Sequence, residues 1–278
     1  MRKGSITKKT VFYLALFLFA FSALLPYVWI LSTSFKTFSE IFTIPIQLIP
    51  RHFTLENFKA VLYGQMNFGQ KFLNSLIVTF ATTVLSLVLS LPCAYALARF
   101  RMKEQRLLLQ TLLVSQMIPI AVLLIPLYIV IVKLKLVNTF ASLVIANLTF
   151  SVPFVVWLLY GFFCRLPIAI EESAMIDGCS RLQTLLKIVL PSAAPGIAAS
   201  CAYTFISAWQ EYLFALTFID SQRKFTLPIA LTSYIGQYGT QWGNLMAASL
   251  LVTLPVIILF YGIQTLMVKG LTAGAVKG

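Results

Sequence analysis

Charged residues are scarce in this sequence. Only 10% of its 278 residues are Asp, Glu, Lys or Arg, whereas 59% are hydrophobic, and the mean hydropathy is +0.90. Soluble domains carry about 25% charged residues, and a water-soluble fold has no means of hiding so much apolar surface. The composition therefore excludes a soluble globular protein and indicates a protein of the lipid bilayer.

Six long stretches are almost free of charge. Five lie between Lys9 and Lys36, Lys71 and Arg99, Arg106 and Lys133, Lys135 and Arg165, and Lys187 and Glu211, and a sixth runs from about Asn244 to Val268. Each exceeds the roughly 20 residues that cross a hydrocarbon core of about 30 Å as a helix. Because backbone groups in lipid must be satisfied within the segment, we predict an all-α integral membrane protein with six transmembrane helices. Kinks are predicted at Pro92, Pro119, Pro126, Pro153 and Pro255.

The basic residues predict the orientation. With both termini in the cytoplasm, 13 of the 21 Lys and Arg residues lie inside, as the positive-inside bias requires. The predicted segments are a cytoplasmic tail (1–9), a first span (10–31), an extracytoplasmic loop (32–70), a core of five spans (71–268) with a cytoplasmic loop (165–191), and a cytoplasmic tail (269–278). The net charge of +13 is spread over both faces without a basic stripe, so no nucleic-acid partner is expected.

Two features near the N-terminus need interpretation. The first apolar run is not followed by a small-x-small cleavage site, so we interpret it as a retained helix rather than a signal peptide. In the 32–70 loop, the sequence Leu55-Glu-Asn-Phe58 predicts a short amphipathic helix lying against the membrane. This loop is either a surface connector or a docking surface for an extracellular solute receptor.

The loop from Arg165 to Pro191 is too polar to span a membrane and too regular for a linker. Pro167 suits a first helical position, Glu171 and Glu172 lie where the helix dipole favours anions, and Gly178 can adopt the left-handed conformation that ends a helix. The second half predicts another helix with one apolar face, formed by Leu182, Leu185, Leu186 and Val189. Such a helix pair either docks in a groove of a soluble partner or lies on the surface without one.

The same loop carries a recognisable spacing. Glu172-Ser-Ala174, three residues, Gly178, nine residues and Ile188-Val-Leu-Pro191 resemble the EAA signature of permease subunits in bacterial binding-protein-dependent ABC importers, with serine in place of the first alanine. Further similarity lies in Asn74-Ser75, in Ala94-Tyr-Ala-Leu-Ala-Arg99, in Met175-Ile-Asp-Gly-Cys179 and in the ending from Gly270 to Gly278. From about Tyr27 onward, the chain resembles the second permease of carbohydrate importers of the maltose type.

The resemblance implies a type I ABC importer fold in the bacterial cytoplasmic membrane. It implies three kinds of partner: a second, homologous permease, an ATPase dimer that binds ATP and Mg, and an extracytoplasmic sugar-binding protein. Neither a cofactor nor an enzymatic activity is expected in this chain. The segment most similar to a Walker loop, from Gly64 to Lys71, has Gln70 at the position where the loop requires lysine. The resemblance makes the 165–191 loop the coupling helix that docks on the ATPase, through Glu172, Ala174, Asp177, Gly178, Ile188 and Pro191.

The substrate path is less evident from the sequence. Trp209-Gln210-Glu211-Tyr212 interrupts the fifth predicted span, and an ionisable residue at such a depth is a candidate for function. Asn147 and Tyr203 are further candidates, with Ser151, because amide and aromatic groups suit sugar hydroxyls and ring faces. The alternative is an interfacial aromatic belt in which Glu211 bonds to a neighbouring helix. A di- or oligosaccharide is the expected solute, with glycerol 3-phosphate or an amino acid as alternatives.

Two other classes of membrane protein fit less well. An ion-coupled transporter needs a carboxylate or histidine relay at mid-membrane, and only Glu211 comes near. A membrane enzyme needs a nucleophile, a metal cluster or paired acids, and the lone His52 has no companion ligand. Disulfides and a metal site are not expected from the four cysteines, which lie within spans or on the cytoplasmic side without metal-ligand spacing: Cys93, Cys164, Cys179 and Cys201.

Overall fold

The computed structural model describes residues 3–64, 66–100, 102–236 and 239–273. Its helices are α1 (Lys3–Ser34), α2 (Phe38–Ile41), α3 (Glu56–Tyr63), α4 (Phe68–Arg99), α5 (Gln105–Ser115), α6 (Ile120–Lys133), α7 (Phe140–Phe163), α8 (Ile168–Ile176), α9 (Arg181–Thr184), α10 (Leu190–Ser192), α11 (Ala194–Trp209), α12 (Leu213–Phe218), α13 (Leu227–Thr232) and α14 (Trp242–Ala273). A π-helical segment spans Leu185–Val189 and a 3-10 turn spans Gln222–Lys224. Strands β1 (Ile235–Gly236) and β2 (Gly239–Thr240) pair as an antiparallel hairpin.

Four helices are long and apolar enough to cross a membrane. They are Lys9–Ser34 within α1, α4, α7 and Trp242–Leu266 within α14, and two bent helix pairs, α5 with α6 and Arg181–Ser192 with α11, bring the number to six if each pair is one span. The predicted helical membrane fold is confirmed, and the predicted number of six spans holds if each bent pair is one span. The predicted span limits shift, because α1 starts at Lys3 and α14 continues to Ala273, while residues 274–278 of the predicted C-terminal tail lie outside the described residues.

The third predicted span is not one straight helix. Between Arg106 and Lys133 the structure has α5 and α6, which meet at a bend of 100°. Pro119 is the residue before α6 and has extended ψ of 133°. Proline lacks an amide proton and disfavours the helical conformation of the residue before it, so the predicted kink at Pro119 is a complete break.

The fifth predicted span is also broken. The straight part, α11, has 16 residues and a length of about 24 Å, shorter than a hydrocarbon core of about 30 Å. It meets the preceding helical segment, Arg181–Ser192, at a bend of 77°. A single helix from Lys187 to Glu211 was therefore the wrong prediction.

Contacts divide the chain into two compact units. The first contains Met1–Gly69 and Ala230–Leu254, and the second contains Gln70–Ile229 and Pro255–Gly278. In the first unit, the Asn57 side-chain amide donates hydrogen bonds to the carbonyl oxygens of Ser34, at 2.9 Å, and Lys36, at 2.8 Å. These bonds hold α3, the short helix that Leu55–Phe58 predicted, against the end of α1.

A buried carboxylate orders the same part of the first unit. Glu40, on α2, is 7% exposed and accepts hydrogen bonds from the backbone amides of Arg51 and His52. The Arg51 amide, which stabilises the charged form, lowers the pKa of Glu40 below its usual value. Nearby, the ring of Phe35 stacks on that of Phe53, with centroids 4.5 Å apart.

The second unit is organised around α7. This helix packs against α5, α11 and α12. Two buried clusters share it: one contains Leu143, Phe214 and Phe218, and the other contains Leu159 and Phe163. Because both clusters are buried, α7 provides the surface against which α5, α11 and α12 pack.

Candidate functional site

The first helix of the 165–191 loop has the predicted limits to within a residue. Pro167 is the N-cap rather than the first helical residue, and α8 ends at Ile176. Gly178 has φ of +91°, and its amide donates to the carbonyl oxygen of Met175 at 3.1 Å. The predicted left-handed glycine is confirmed, and this conformation favours a residue without a Cβ.

Two adjacent carboxylates of α8 have opposite environments. Glu172 is exposed, whereas Glu171 is only 5% exposed. One oxygen of Glu171 is 2.6 Å from Nε of Arg99, and the other accepts a hydrogen bond of 2.8 Å from the hydroxyl of Tyr95. Arg99 also donates from Nη2 to the carbonyl oxygen of Leu166 at 3.2 Å. Glu171 therefore anchors α8 on the end of α4, and Glu172 is left available to a partner.

The exposed surface of α8 is partly apolar. Ile176 is 85% exposed and Met175 is 40% exposed, and Asp177 is exposed beside them, whereas Ala174 is buried. Of the predicted coupling residues on α8 and its turn, Glu172, Asp177 and Gly178 are accessible and Ala174 allows α8 to pack closely. We call the accessible set, Glu172 with Met175, Ile176 and Asp177, the α8 surface.

The second half of the loop differs from the prediction. It begins with a capping box, in which the Ser180 amide donates to the Gln183 side chain at 2.8 Å. Val189 is buried, but Leu182 is 64% exposed and Leu186 is 54% exposed. The single apolar face was wrong because the π-helical segment adds a residue to the turn, so positions three, four and seven apart no longer align.

The end of this half also shifts. Pro191 does not end the helix, which continues to Ser192 and breaks at Ala193. Proline cannot donate the hydrogen bond back to the carbonyl oxygen four residues earlier, here that of Lys187. In a regular α-helix the proline ring would also clash with that carbonyl group. The wider π-helical turn just before Pro191 relieves this clash. Ile188 is half-buried on the same turn.

A cavity of about 480 Å³ lies in the second unit. Most of the predicted substrate-path residues line it: Asn147, Tyr203, Gln210, Glu211 and Tyr212, together with Gln116, Phe150, Ser151 and Ser207. Trp209 does not, since it is buried against the rings of Phe72, at 5.7 Å, and Phe205, at 5.8 Å. The structure thus brings six of the seven predicted path residues together, Ser151 among them.

Glu211 has a structural role within this cavity. Its carboxylate accepts hydrogen bonds from the backbone amides of Phe214, at 2.6 Å, and Ala215, at 3.1 Å. The Glu211 carboxylate therefore caps the first turn of α12. This arrangement resembles the alternative interpretation of the sequence, in which Glu211 bonds to a neighbouring helix. Among the lining residues that the structure describes, Glu211 is the one with a charged side chain.

Three buried hydroxyls also line the cavity. They belong to Thr82, Ser151 and Thr204, which are 0%, 3% and 0% exposed. Their oxygens form no hydrogen bond with any residue in the described part of the chain. Buried hydroxyls are normally hydrogen-bonded, so each of these three retains the capacity for a hydrogen bond that the described residues do not supply.

Comparison with known proteins shows the family to which the chain belongs. The family described as the binding-protein-dependent transport system inner membrane component matches residues 86–273. The chain belongs to this family. The permease family's match starts within α4 and includes the 165–191 loop, the cavity-lining parts of α7 and α11, and α14.

Individual relatives extend the similarity beyond residues 86–273. The permease is 37% identical to the diacetylchitobiose uptake system permease DasC of Streptomyces coelicolor, over 91% of both chains. It is 34% identical to the trehalose/maltose transport system permease MalG of Thermococcus litoralis, over 99% of both chains. The predicted resemblance to carbohydrate ABC importer permeases is confirmed.

A solved structure shows the same fold. A chain of a bacterial ABC transporter that imports the acidic polysaccharide alginate superposes with a TM-score of 0.80, at 23% identity, over 95% of the permease and 98% of that chain. The permease therefore has the type I importer fold that the resemblance implied.

The sequence did not reveal the partner of Glu171. Arg99 is 72 positions away, and no periodic pattern pairs residues at such a distance. One signal was present: Arg99 ends a long apolar segment, and Glu171 follows the apolar run Ile168-Ala-Ile170, so either residue could have indicated a buried charge in need of a partner. Thr82 and Thr204 were missed because hydroxyls are common on membrane helices and most bond within their own helix.

Proposed function

We propose that this permease forms, with a second and homologous permease, the transmembrane path of an ABC importer for a di- or oligosaccharide. An ATPase dimer that binds ATP and Mg drives transport, and an extracytoplasmic binding protein delivers the sugar. The observation that carries the proposal is the 165–191 loop, in which one carboxylate anchors α8 and the adjacent one is exposed.

The α8 surface supports docking on the ATPase. Glu172 offers a carboxylate to a basic residue of the partner, and charge-assisted hydrogen bonds of this kind are among the stronger ones in proteins. Ile176, which is 85% exposed, supplies the apolar anchor of a helix-in-groove interface. Gly178 ends α8 sharply, and Ile188 and Pro191 shape the second half of the loop that follows.

The cavity supports passage of a sugar. Its amides, at Asn147, Gln116 and Gln210, can donate to and accept from sugar hydroxyls, and the rings of Tyr203 and Tyr212 can stack on the apolar faces of pyranose rings. The named solutes of the two relatives, diacetylchitobiose and trehalose or maltose, are oligosaccharides of this kind. None of the described residues that line the cavity is a Lys or an Arg that could bind a phosphate, which favours a neutral sugar over glycerol 3-phosphate.

The proposed placement is the bacterial cytoplasmic membrane. The family is an inner membrane component, and the distribution of Lys and Arg favours cytoplasmic termini. The 165–191 loop is then cytoplasmic, where the ATPase lies, and the 32–70 loop is extracytoplasmic, beside the binding protein.

Reconstitution tests the function directly. The permease is purified with its ATPase, second permease and binding protein in proteoliposomes, and uptake of radiolabelled trehalose, maltose and diacetylchitobiose is measured with and without enclosed ATP. We expect ATP-dependent uptake of at least one of these sugars, and the same uptake to fail when Glu172→Ala replaces the wild-type chain. Glu104→Ala, which changes an exposed carboxylate just before α5, is the matched control. ATP-independent uptake, or full activity of Glu172→Ala, contradicts the proposal.

A further inference from the structure

Both halves of the 165–191 loop contact the last turn of α4. The Glu171 carboxylate of α8 binds Nε of Arg99 at 2.6 Å and the Tyr95 hydroxyl at 2.8 Å. From the other half, the guanidinium of Arg181 lies 5.3 Å from the ring centroid of Phe100. The loop is thus held to one helix end by an ion pair, a hydrogen bond and a cation–π contact. We call the group formed by Tyr95, Arg99 and Glu171 the α4 latch.

The α4 latch is buried. The side chains of Arg99 and Glu171 are 8% and 6% exposed, and both carboxylate oxygens are occupied. Arg99 also donates to the carbonyl oxygen of Leu166, just before α8. Separating a buried ion pair leaves two desolvated charges without partners, which is strongly unfavourable. The latch is therefore expected to stay closed while the loop is displaced as a whole.

The opposite end of α4 is also fixed. The side-chain amide of Asn74 donates to the carbonyl oxygens of Arg223, at 2.8 Å, and Phe225, at 2.9 Å. The Ser75 hydroxyl accepts a hydrogen bond of 2.8 Å from the amide of Leu227. A helix of 32 residues is about 48 Å long. One helix therefore joins the 165–191 loop to the 223–227 segment at its far end.

We propose that the α4 latch transmits movement. It makes α8 and α4 move together, so that a displacement of the loop by the ATPase reaches the 223–227 segment through α4. The inference rests on the proposed docking of the loop on an ATPase. It assigns the two adjacent carboxylates different tasks: Glu172 contacts the partner, and Glu171, with Tyr95 and Arg99, is a positioning residue that passes the movement on.

The test measures the distance between α8 and α4 in the assembled importer. Spin labels are placed at Ile168, which is 56% exposed on α8 and lies outside the α8 surface, and at Leu89, which is 51% exposed on α4, in a background with the four cysteines replaced by serine. Distances are measured by double electron–electron resonance without nucleotide and with ATP bound to a hydrolysis-deficient ATPase. The wild-type latch is expected to give one distance distribution that is the same in both states.

Two variants open the latch. Glu171→Ala leaves Arg99 unpaired, and the double variant Arg99→Met with Glu171→Met removes both charges, which preserves folding because no buried charge is left alone. In each, we expect the distance to shift between the two states by more than the wild-type width, and stimulation of ATP hydrolysis by the binding protein to fall at least several-fold. Glu104→Gln, an exposed acid near the same end of α4, is the control and should behave like the wild type.

Two outcomes overturn the inference. One is a wild-type distance that itself changes when ATP binds, and another is a double variant with an unchanged distance and full stimulation. The unchanged double variant is the result expected if the latch has a purely structural role. In that case less complex would assemble, but the assembled complex would couple ATP hydrolysis normally. A wild-type chain that does not purify with an ATPase contradicts the proposed function rather than the role of the latch. This result is obtained before any spin label is introduced, so the two failures are distinguishable.

Discussion

The 165–191 loop and the cavity of the second unit are built in different ways. The loop is continuous in sequence, and its turn depends on one residue, Gly178, with φ of +91°. The cavity is assembled from α4, α6, α7, α11, α12 and the segments after α5 and α11, and each contributes one or a few side chains. In the proposed function, the loop transmits force through a few strong contacts, whereas the cavity recognises the solute through many weak ones. Single substitutions should therefore have large effects in the loop and small effects in the cavity.

The largest effect is expected at the buried carboxylate of the loop. Glu171→Ala leaves Arg99 as an unpaired charge whose side chain is 8% exposed, and such a loss costs about 3–5 kcal/mol. We expect a lower midpoint of thermal unfolding for the purified permease and faster hydrogen exchange in α8. The adjacent Glu172→Ala is the control, because an exposed carboxylate leaves no buried charge behind. Equal unfolding midpoints for the two variants would show that the ion pair adds no stability.

The next effect concerns association rather than stability. Glu172→Ala removes the proposed contact with a basic residue of the ATPase, and a hydrogen bond between charged groups contributes about 1.5–3 kcal/mol. That range corresponds to roughly 10- to 150-fold weaker binding of the ATPase. The measurement is the dissociation constant of the ATPase for the permease pair in nanodiscs. Asp177→Ala is the comparison, with a smaller loss expected, since Asp177 belongs to the turn. Unchanged affinity for Glu172→Ala removes the docking role from this residue.

A smaller effect is expected at the turn. Nothing lies within 4 Å of a Cβ added to Gly178, but φ is +91°, and a residue other than glycine in such a conformation costs about 1–3 kcal/mol. Gly178→Ala should lower transport by shifting α8, without steric clash. Gly161→Ala, also with open space around the added Cβ but within the regular helix α7, isolates the backbone effect. If Gly178→Ala transports normally, the loop tolerates a different turn.

The contrast between the regions also explains what the sequence could predict. The charge-free segments and the glycine turn follow from local rules, and the six spans and α8 were predicted from them. The breaks at Pro119 and Ala193 were less accessible, because proline is compatible with either a kink or a break and packing decides between them. Arg99 with Glu171 depends on tertiary contact, which one sequence does not contain.

The smallest effect is expected in the cavity, at Thr204. Thr204→Val keeps the shape of the side chain and removes a hydroxyl that is 0% exposed and forms no hydrogen bond with the described residues. Removing an unsatisfied buried hydroxyl should not lower the stability of the permease. If the hydroxyl binds the passing sugar, losing a bond of about 0.5–1.5 kcal/mol raises the KM for uptake by roughly 2- to 12-fold.

Thr79→Val is the matched control, because Thr79 is another buried hydroxyl without a partner among the described residues, and it does not line the cavity. The comparison holds if only Thr204→Val changes KM and neither variant changes the unfolding midpoint. Equal KM values for both variants mean that this wall of the cavity does not contact the sugar.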